Sequence, residues 1–169
     1  MRVRAETDAD RAAIRAVNEA AFESSTEADI VDALRAKGVE LVSLVAERDG
    51  VVLGHILFSS VLLADYGELK LMGLGPMAVL PRHQREGIGS ALVREGLMRC
   101  AQVGVHAIAV VGHPQYYPRF GFAAASRYGL RCVYDVPDDV FMIAELARGA
   151  LRGVSGIVLY DEAFGSAGH

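Results

Sequence analysis

Two glycines one residue apart, Gly87 and Gly89, stand in the segment QREGIGS (residues 84–90), between an apolar run and a helix-like pattern. Glycine lets other groups approach the backbone closely, and the first N–H groups of a helix have no acceptor within the helix. These N–H groups and the positive end of the helix suit a phosphate or pyrophosphate. The spacing predicts a phosphate-binding turn. A Gly-rich turn that binds nothing is the structural alternative.

Two other phosphate-binding motifs can be tested on the same spacing. A dinucleotide fingerprint needs a third glycine where this chain has Leu92, and an acidic residue about 20 positions further on, which is missing. A P-loop needs Gly-Lys-Ser or Gly-Lys-Thr, which is also missing. The turn therefore disfavours a nucleotide-binding domain.

A second group of residues that could take part in proton transfer follows the apolar run HAIAVVG (106–112). It comprises His113 and the tyrosines of YYPRFGF (116–122), Tyr116 and Tyr117. A phenol can donate a hydrogen bond or a proton to a departing group, and an imidazole, with a pKa near 6.5, can take one up. The structural alternative is that His113 starts a turn and the tyrosine rings only pack.

The composition limits the class of protein that these residues can serve. The chain has 169 residues, of which 52% are hydrophobic, a formal net charge of −4 and a pI of about 5.7. An acidic balance argues against a nucleic-acid partner. The high apolar content predicts a full core and allows an apolar partner surface, such as that of a homodimer.

Cysteine usage and hydropathy favour a cytoplasmic protein. Cys100 and Cys132 form no CxxC or Cys/His motif, so neither a metal site nor a disulfide framework is predicted. The charged first residues do not resemble a signal peptide. The longest apolar stretch, residues 51–64, is interrupted by Gly, His and Ser and is too short to span a membrane. We therefore expect no membrane partner.

The elements that must position these residues follow from periodicity and turn signals. With no linker or repeat, residues 1–169 are predicted to form one domain. Mixed α/β elements are expected: a strand at 3–6, a helix after Thr7 and Asp10, a helix from Thr26 to Lys37, a hairpin of 41–47 and 51–63 around Asp49-Gly50, a strand at 69–80, a helix at 86–104, a strand at 106–112 and a short strand at 156–160. The order strand, helix, strand across residues 69–112 predicts a parallel pair.

Two landmarks resemble the Gcn5-related N-acetyltransferase (GNAT) superfamily. MAV (77–79), four further residues and QREGIGS resemble its acetyl-CoA signature, and YYPRFGF resembles its Tyr five residues before the Phe of a Gly-Phe pair. The phrases LGPMAVLP, GIGSALV, GHPQYYPRFGF and AELARGAL resemble a bacterial subgroup of predicted N-acetyltransferases without a defined substrate. The resemblance implies a GNAT fold, with one central mixed, twisted sheet of six to seven strands flanked by helices. It also implies acetyl-CoA as cosubstrate and an amine acceptor.

The resemblance also assigns roles to individual residues. The strand Met77, Ala78, Val79 would pair with the pantetheine arm, helped by disruption of the sheet at Gly75 and Pro76. Main-chain groups of Gln84, Arg85, Gly87, Ile88, Gly89 and Ser90 would cradle the pyrophosphate, and Arg82, His83 or Arg85 could add positive charge. Glu86 departs from the basic or neutral residue of many relatives, so its carboxylate should point away from the phosphates.

The same resemblance identifies a residue for the acid but none for the base. Tyr117 aligns with the acid that meets the departing thiolate, and Tyr116 is the adjacent alternative. Relatives with a carboxylate base on the cofactor strand carry it four residues before the MAV-like triplet, where this chain has Gly73. Gly75 likewise has no side chain that could act as a base. The remaining candidates for the base are His113, His55, Glu27, Asp29 or a water held by one of them.

The leading hypothesis is an acyltransferase that moves the acetyl group directly from acetyl-CoA to an amine in a ternary complex, without metal or covalent intermediate. The alternative is a non-catalytic acyl-CoA-binding or regulatory module, which the missing carboxylate at Gly73 supports. The acceptor could be a small-molecule amine, an antibiotic, a peptide N-terminus or a lysine, and the sequence does not choose among them.

Overall fold

The computed structural model describes residues 1–168. Its three helices are α1 (Arg11–Phe22), α2 (Thr26–Ala36) and α3 (Ile88–Gln102). Its nine strands are β1 (Arg2–Ala5), β2 (Leu41–Arg48), β3 (Val51–Leu63), β4 (Leu71–Val79), β5 (Ala107–Val111), β6 (Ala123–Ala124), β7 (Leu130–Cys132), β8 (Phe141–Glu145) and β9 (Gly156–Leu159). Every helix and strand predicted from the sequence is present, with ends that differ by at most two residues.

The strands form a mixed sheet whose main path has seven strands, in the order β1-β2-β3-β4-β5-β8-β6. Strand β9 pairs with β3 and β7, off this path. The fold class predicted from the sequence, a mixed α/β sheet of six to seven strands with helices, is confirmed. The chain divides into two compact units, and the single domain stays a prediction.

The first unit comprises residues 1–59 and 75–99. Its β2–β3 hairpin turns at Asp49 and Gly50, which both have positive φ, 53° and 78°. Two left-handed residues in succession give the turn that matches the twist of an antiparallel pair. The Asp49-Gly50 signal in the sequence therefore predicted the hairpin and its tight turn.

Helix α1 starts at a network around Asp10. The Asp10 carboxylate accepts hydrogen bonds from the Thr7 N–H at 2.7 Å and from both terminal nitrogens of Arg4 at 2.7 and 2.9 Å. Arg4 holds the pKa of this carboxyl well below its usual value. Arg4 also donates to Glu47 on β2 at 3.1 Å. The network ties the start of the helix to two strands of the sheet.

Helix α3 lies close against β3 because two glycines leave room for it. A Cβ at Gly54 would lie 3.1 Å from both the Ile88 Cγ2 and the Leu92 Cδ1 atoms of α3. A Cβ at Gly96 would overlap the buried ring of Phe58, lying 2.5 Å from its Cζ atom. This packing fixes where the N-terminus of α3 lies on the first unit.

The second unit comprises residues 60–74 and the chain from residue 100 onward, of which the structure describes residues 100–168. Leu71–Leu74 of β4 pairs in parallel with Ala107–Val110 of β5, as predicted. Strand β8, which the sequence analysis did not identify, pairs antiparallel with β5 and β6. The buried side chains of these strands form a core that includes Leu71, Ala109, Phe141 and Ile143.

Candidate functional site

The predicted phosphate-binding turn adopts an unusual backbone just before α3. Arg85 and Gly87 both have positive φ, 66° and 85°. The first main-chain bond of the helix runs from the Ala91 N–H to the Gly87 carbonyl at 3.1 Å, so the N–H groups of Ile88 and Gly89 precede the helical ladder. N–H groups that precede a helical ladder form a concave site for an anion.

The turn is anchored to the strands beside it. The Gln84 side-chain amide donates a hydrogen bond to the Val79 carbonyl at 3.1 Å, and the Leu80 N–H donates to the Leu53 carbonyl at 2.9 Å. Ile88 is 1% exposed and fixes the first turn of α3 in the core. Gln84 thus has a structural role for its side chain, while the backbone of the turn stays at the surface.

The charges around the turn are partly paired with one another. The Glu86 carboxylate lies 3.5 Å from the Arg48 guanidinium and 3.4 Å from the His83 Nδ1 atom. Arg82 and Arg85 are exposed. The expectation that Glu86 points away from the phosphates stays a prediction, and its pairing with Arg48 gives it a partner other than the turn itself.

Strand β4 extends beyond its register with β5. The paired residues end at Leu74, and Gly75–Val79 continue the strand from there. Gly75 has φ 150°, and the Gly75–Pro76 peptide bond is cis. Ala78 is buried, whereas Met77 and Val79 are half-buried. The predicted pantetheine-binding residues are therefore those that continue β4 past its ladder with β5.

In the second unit, Tyr116 and Tyr117 lie in one tight turn that starts at His113. The His113 carbonyl accepts hydrogen bonds from the N–H groups of both tyrosines, at 3.0 and 3.3 Å, and the His113 side chain is exposed. Gly112 makes room for the Tyr117 ring, since a Cβ there would lie 2.8 Å from Tyr117 Cδ2. The main chain of His113 thus positions the two phenols.

Tyr117 is the more buried of the two tyrosines, and its ring contacts Tyr116 and Phe122 edge-on, with centroids 5.1 and 5.6 Å apart. Burial raises the pKa of Tyr117 to about 12. At neutral pH it is a hydroxyl that can donate a hydrogen bond. The Arg119 guanidinium lies 4.6 Å from the centroid of the Tyr116 ring.

His55, one of the candidates for the base, is enclosed in the first unit. Its Nδ1 atom lies 3.2 Å from the Asn18 amide nitrogen, which also donates to the Ile14 carbonyl, and its Nε2 atom lies 2.9 Å from the Ser43 hydroxyl. Ser43 in turn donates to Glu6, which Arg35 holds at 2.8 and 2.9 Å. This order of donors requires a neutral imidazole with its proton on Nε2.

Burial is the largest cause that lowers the pKa of His55, to about 3, and Arg35 adds to it. Both ring nitrogens have partners and the residue is 0% exposed, so this imidazole is structural in the present conformation. Of the two carboxylates of α2, Asp29 pairs with Arg15 at 2.8 Å. Glu27 has one buried oxygen, Oε1, without a partner among the described residues.

The space over Gly73, where some relatives carry a carboxylate, is filled by an aromatic ring. A Cβ at Gly73 would lie 2.9 Å from the Cε2 atom of Tyr160 and 3.1 Å from Val61. Tyr160 stands at the end of the predicted strand 156–160, and no role was predicted for it. No local signal could have found it, because the contact joins two segments far apart in the chain.

The predicted residues divide between the two units. Met77, Ala78, Val79 and residues 84–90 lie in the first unit, whereas His113, Tyr116 and Tyr117 lie in the second. Among residues 1–168, no cluster of three or more His, Cys, Asp or Glu side chains is arranged to hold a metal ion. None of the described helices has both the length and the hydropathy needed to cross a membrane.

A helix N-terminus with N–H groups ahead of its ladder, following a strand that continues past its neighbour, agrees with an acetyl-CoA-dependent acyltransferase. The model of the Acetyltransferase (GNAT) family matches residues 10–122, and the chain belongs to this family.

Two relatives with solved structures resemble the chain over nearly its whole length. The chain is 37% identical over 165 residues to the uncharacterized N-acetyltransferase YhbS of Escherichia coli (strain K12), covering 97% of this chain and 98% of YhbS. The crystal structure of Escherichia coli YhbS in complex with CoA superposes with a TM-score of 0.92 at 36% identity, over 96% of this chain and 91% of that one. A GNAT family acetyltransferase from Brucella melitensis, in complex with acetyl-CoA, has a TM-score of 0.79 at 40% identity, over 96% and 97% of the two chains.

Proposed function

We propose that this acyltransferase moves the acetyl group of acetyl-CoA directly to an amine, with both substrates bound at once. The backbone before α3 carries this proposal: two left-handed residues, Arg85 and Gly87, turn the chain into a helix whose first N–H groups precede its own ladder. The YhbS and Brucella structures that resemble the chain hold CoA and acetyl-CoA, which supports the same ligand here.

Acetyl-CoA, the acetyl donor, is assigned to main-chain groups of the first unit. In this proposal the backbone from Gln84 to Ser90 binds the pyrophosphate, and the backbone of Met77, Ala78 and Val79 pairs with the amides of the pantetheine arm. Gly75–Val79 continue β4 beyond its register with β5, which supports the second assignment. Arg82 and Arg85 are exposed and supply positive charge nearby in the chain.

The reaction forms a C–N bond and breaks the C–S bond. The nitrogen loses a proton and the sulfur leaves as a thiolate that needs a hydrogen bond or a proton. A primary amine with a pKa near 10.4 is neutral in about one molecule per thousand at pH 7.4, which costs about 4 kcal/mol. Positioning and deprotonation of the amine are therefore the main tasks of the acceptor side.

Tyr117 is assigned to the leaving sulfur as a hydrogen-bond donor. With its pKa raised to about 12, full proton transfer to a thiolate whose acid has a pKa near 8.5 would be uphill by about 5 kcal/mol. A hydrogen bond to the developing charge avoids this cost. The proton lost by the nitrogen is assigned to His113, whose exposed imidazole belongs to the turn that holds Tyr117.

A screen of amines for free-thiol release from acetyl-CoA tests the proposal. We expect at least one amine to release thiol in proportion to acetylated product. In Tyr117→Phe, kcat should fall roughly 10- to 100-fold, as expected for a lost hydrogen bond to a charged group worth about 1.5–3 kcal/mol, while the Kd for acetyl-CoA stays the same.

The matched control is Tyr128→Phe, because Tyr128 packs on the core of the second unit outside this turn. Its kcat should equal that of the wild type. No thiol release with any class of amine would overturn the transferase proposal, and an unchanged kcat in Tyr117→Phe would remove Tyr117 from the reaction.

A further inference from the structure

Glu86 is a carboxylate in the middle of the turn that the proposed function assigns to the pyrophosphate. It stands between Arg85 and Gly87, the two residues of the turn with positive φ, and it is exposed. A unit negative charge about 4 Å from a phosphate charge weakens binding about 5-fold even in water. The proposed function gives Glu86 no task, so its contacts must show what it does in the turn.

Glu86 is held by two side chains that can carry positive charge. A terminal nitrogen of Arg48, the last residue of β2, lies 3.5 Å from its Oε1 atom, and the His83 Nδ1 atom lies 3.4 Å from its Oε2 atom. The side chains of Arg48 and Glu86 are 43% and 40% exposed. An ion pair this exposed adds little to stability, so a stronger anion can displace the carboxylate.

The hairpin that carries Arg48 is held beside the turn by contacts other than this ion pair. The Leu80 N–H, just before the turn, donates to the Leu53 carbonyl of β3 at 2.9 Å. A Cβ at Gly54 of β3 would lie 3.1 Å from Ile88, the first residue of α3. All of these residues belong to the first unit. The backbone of Arg48 therefore stays beside the turn when its pair with Glu86 opens.

The turn has open space on its outer side. A Cβ at Gly87 would meet nothing within 4 Å. Acetyl-CoA carries a pyrophosphate and a 3′-phosphate, and a phosphate monoester has a charge of about −1.5 to −2 at pH 7. A guanidinium matches a phosphate with two parallel hydrogen bonds. For Arg48, a phosphate is thus a stronger partner than the single charge of Glu86.

We propose that Arg48 is a further phosphate-binding residue for acetyl-CoA, and that its guanidinium exchanges the Glu86 carboxylate for a phosphate when the cosubstrate binds. This rests on the proposed acetyl transfer and adds a residue to its donor site. Glu86 keeps Arg48 beside the turn in the free protein and competes with the phosphate in the complex. Because the product CoA carries the same phosphates, the same competition favours its release.

The test is a calorimetric measurement of the Kd for acetyl-CoA in Arg48→Gln, Glu86→Gln and the double variant. Arg48→Gln should raise the Kd about 5-fold or more, and Glu86→Gln should lower it about 3-fold or more, as expected for single charges near the ligand at the protein surface. In the double variant, Glu86→Gln should improve binding less than it does alone, because no guanidinium is released. A pair that only braces the turn would give weaker binding in both single variants.

The phosphate that Arg48 contacts can be located with CoA and dephospho-CoA, which lacks the 3′-phosphate. If Arg48 binds the 3′-phosphate, Arg48→Gln should weaken binding of CoA and leave that of dephospho-CoA unchanged. If Arg48 binds the pyrophosphate, it should weaken binding of both. Either result supports the proposal.

The matched controls are Arg11→Gln and Asp8→Asn, which make the same charge changes in an exposed pair, 3.2 Å apart, at the start of α1. Both should bind acetyl-CoA like the wild type. An Arg48→Gln variant that binds like Arg11→Gln would overturn the proposal, and so would weaker binding in Glu86→Gln. Failure of the wild type to bind acetyl-CoA would instead overturn the proposed function itself.

Discussion

The turn before α3 and the aromatic group around Tyr160 are built in opposite ways. The turn is local: Gln84 to Ser90 are consecutive, and the proposed anion site rests on their backbone conformation, including positive φ at Arg85 and Gly87. The Tyr160 group is assembled from Gly73, Tyr134, Tyr160 and Phe164, which come from separate segments and meet by packing of aromatic rings. A site formed by consecutive residues can be recognised in the sequence, whereas a packing group assembled from separate segments cannot.

This difference predicts that the two regions can be damaged separately. A variant of the turn should lose acetyl-CoA and keep its fold. A variant of the aromatic group should keep acetyl-CoA binding and lose stability. A variant that damages both properties at once would show that the regions are coupled.

The largest effect is expected for Gly89→Glu. A carboxylate in the first turn of α3 would occupy and repel the site assigned to the pyrophosphate, so calorimetry should detect no binding at acetyl-CoA concentrations that saturate the wild type. An acidic residue near a helix N-terminus is itself favourable by about 0.3–1 kcal/mol, so Tm should not fall. Gly67→Glu adds the same charge where nothing lies within 4 Å of a Cβ and should bind normally.

Gly96→Ala tests whether packing of α3 on β3 supports the turn. The new methyl group would overlap the buried Phe58 ring, and overpacking of this kind costs about 1–3 kcal/mol despite the better helix propensity of alanine. Urea denaturation should show a lower free energy of unfolding. Gly67→Ala is the control and should change it by less than about 0.5 kcal/mol. Equal stability of the two variants would contradict the close approach of α3 and β3.

A smaller effect is expected from acid, through His55. The pKa of His55 is about 3 in the folded protein and about 6.5 in the unfolded chain, so the unfolded chain binds the extra proton between these values and stability falls as pH falls. At pH 5 the loss relative to pH 7.5 should be about 2 kcal/mol.

The measurement is the free energy of unfolding of the wild type, His55→Gln and His113→Gln from pH 7.5 to 5. His55→Gln should lose most of this pH dependence, and His113→Gln, which changes an exposed histidine, should retain it. An unchanged slope in His55→Gln would show that the imidazole is accessible to protons, and would return it to the candidates for the base.

The sequence predicted those parts of the fold that depend on neighbouring residues. Asp49-Gly50 indicated the hairpin, and the order of residues 69–112 indicated the parallel pair of β4 and β5, because turn chemistry and periodicity are local. Strand β8 was missed although it lies between β5 and β6, since Phe141–Glu145 is a short apolar run without alternation, which periodicity alone does not identify as a strand.

The candidate site follows the same rule. The glycines of the turn were recognisable from spacing, and the YYPRFGF segment from its resemblance to the GNAT family. The environment of His55 depends instead on Asn18 and Ser43, which approach it from α1 and β2. The cover over Gly73 depends on Tyr160 in the same way. The roles of Tyr117, His113 and the cradle residues, and the homodimer, stay predictions that the variants above and a measurement of mass in solution can test.

The most direct measurement is the change in Tm on adding acetyl-CoA to the wild-type protein. At about 100 times its Kd, a ligand specific for the folded state adds about 2.7 kcal/mol, which corresponds to roughly 5–10 °C for a chain of this size. We expect this shift with acetyl-CoA and its absence with NAD or ATP. No shift with acetyl-CoA, together with a shift from NAD or ATP, would contradict the assignment of the turn before α3 to acetyl-CoA.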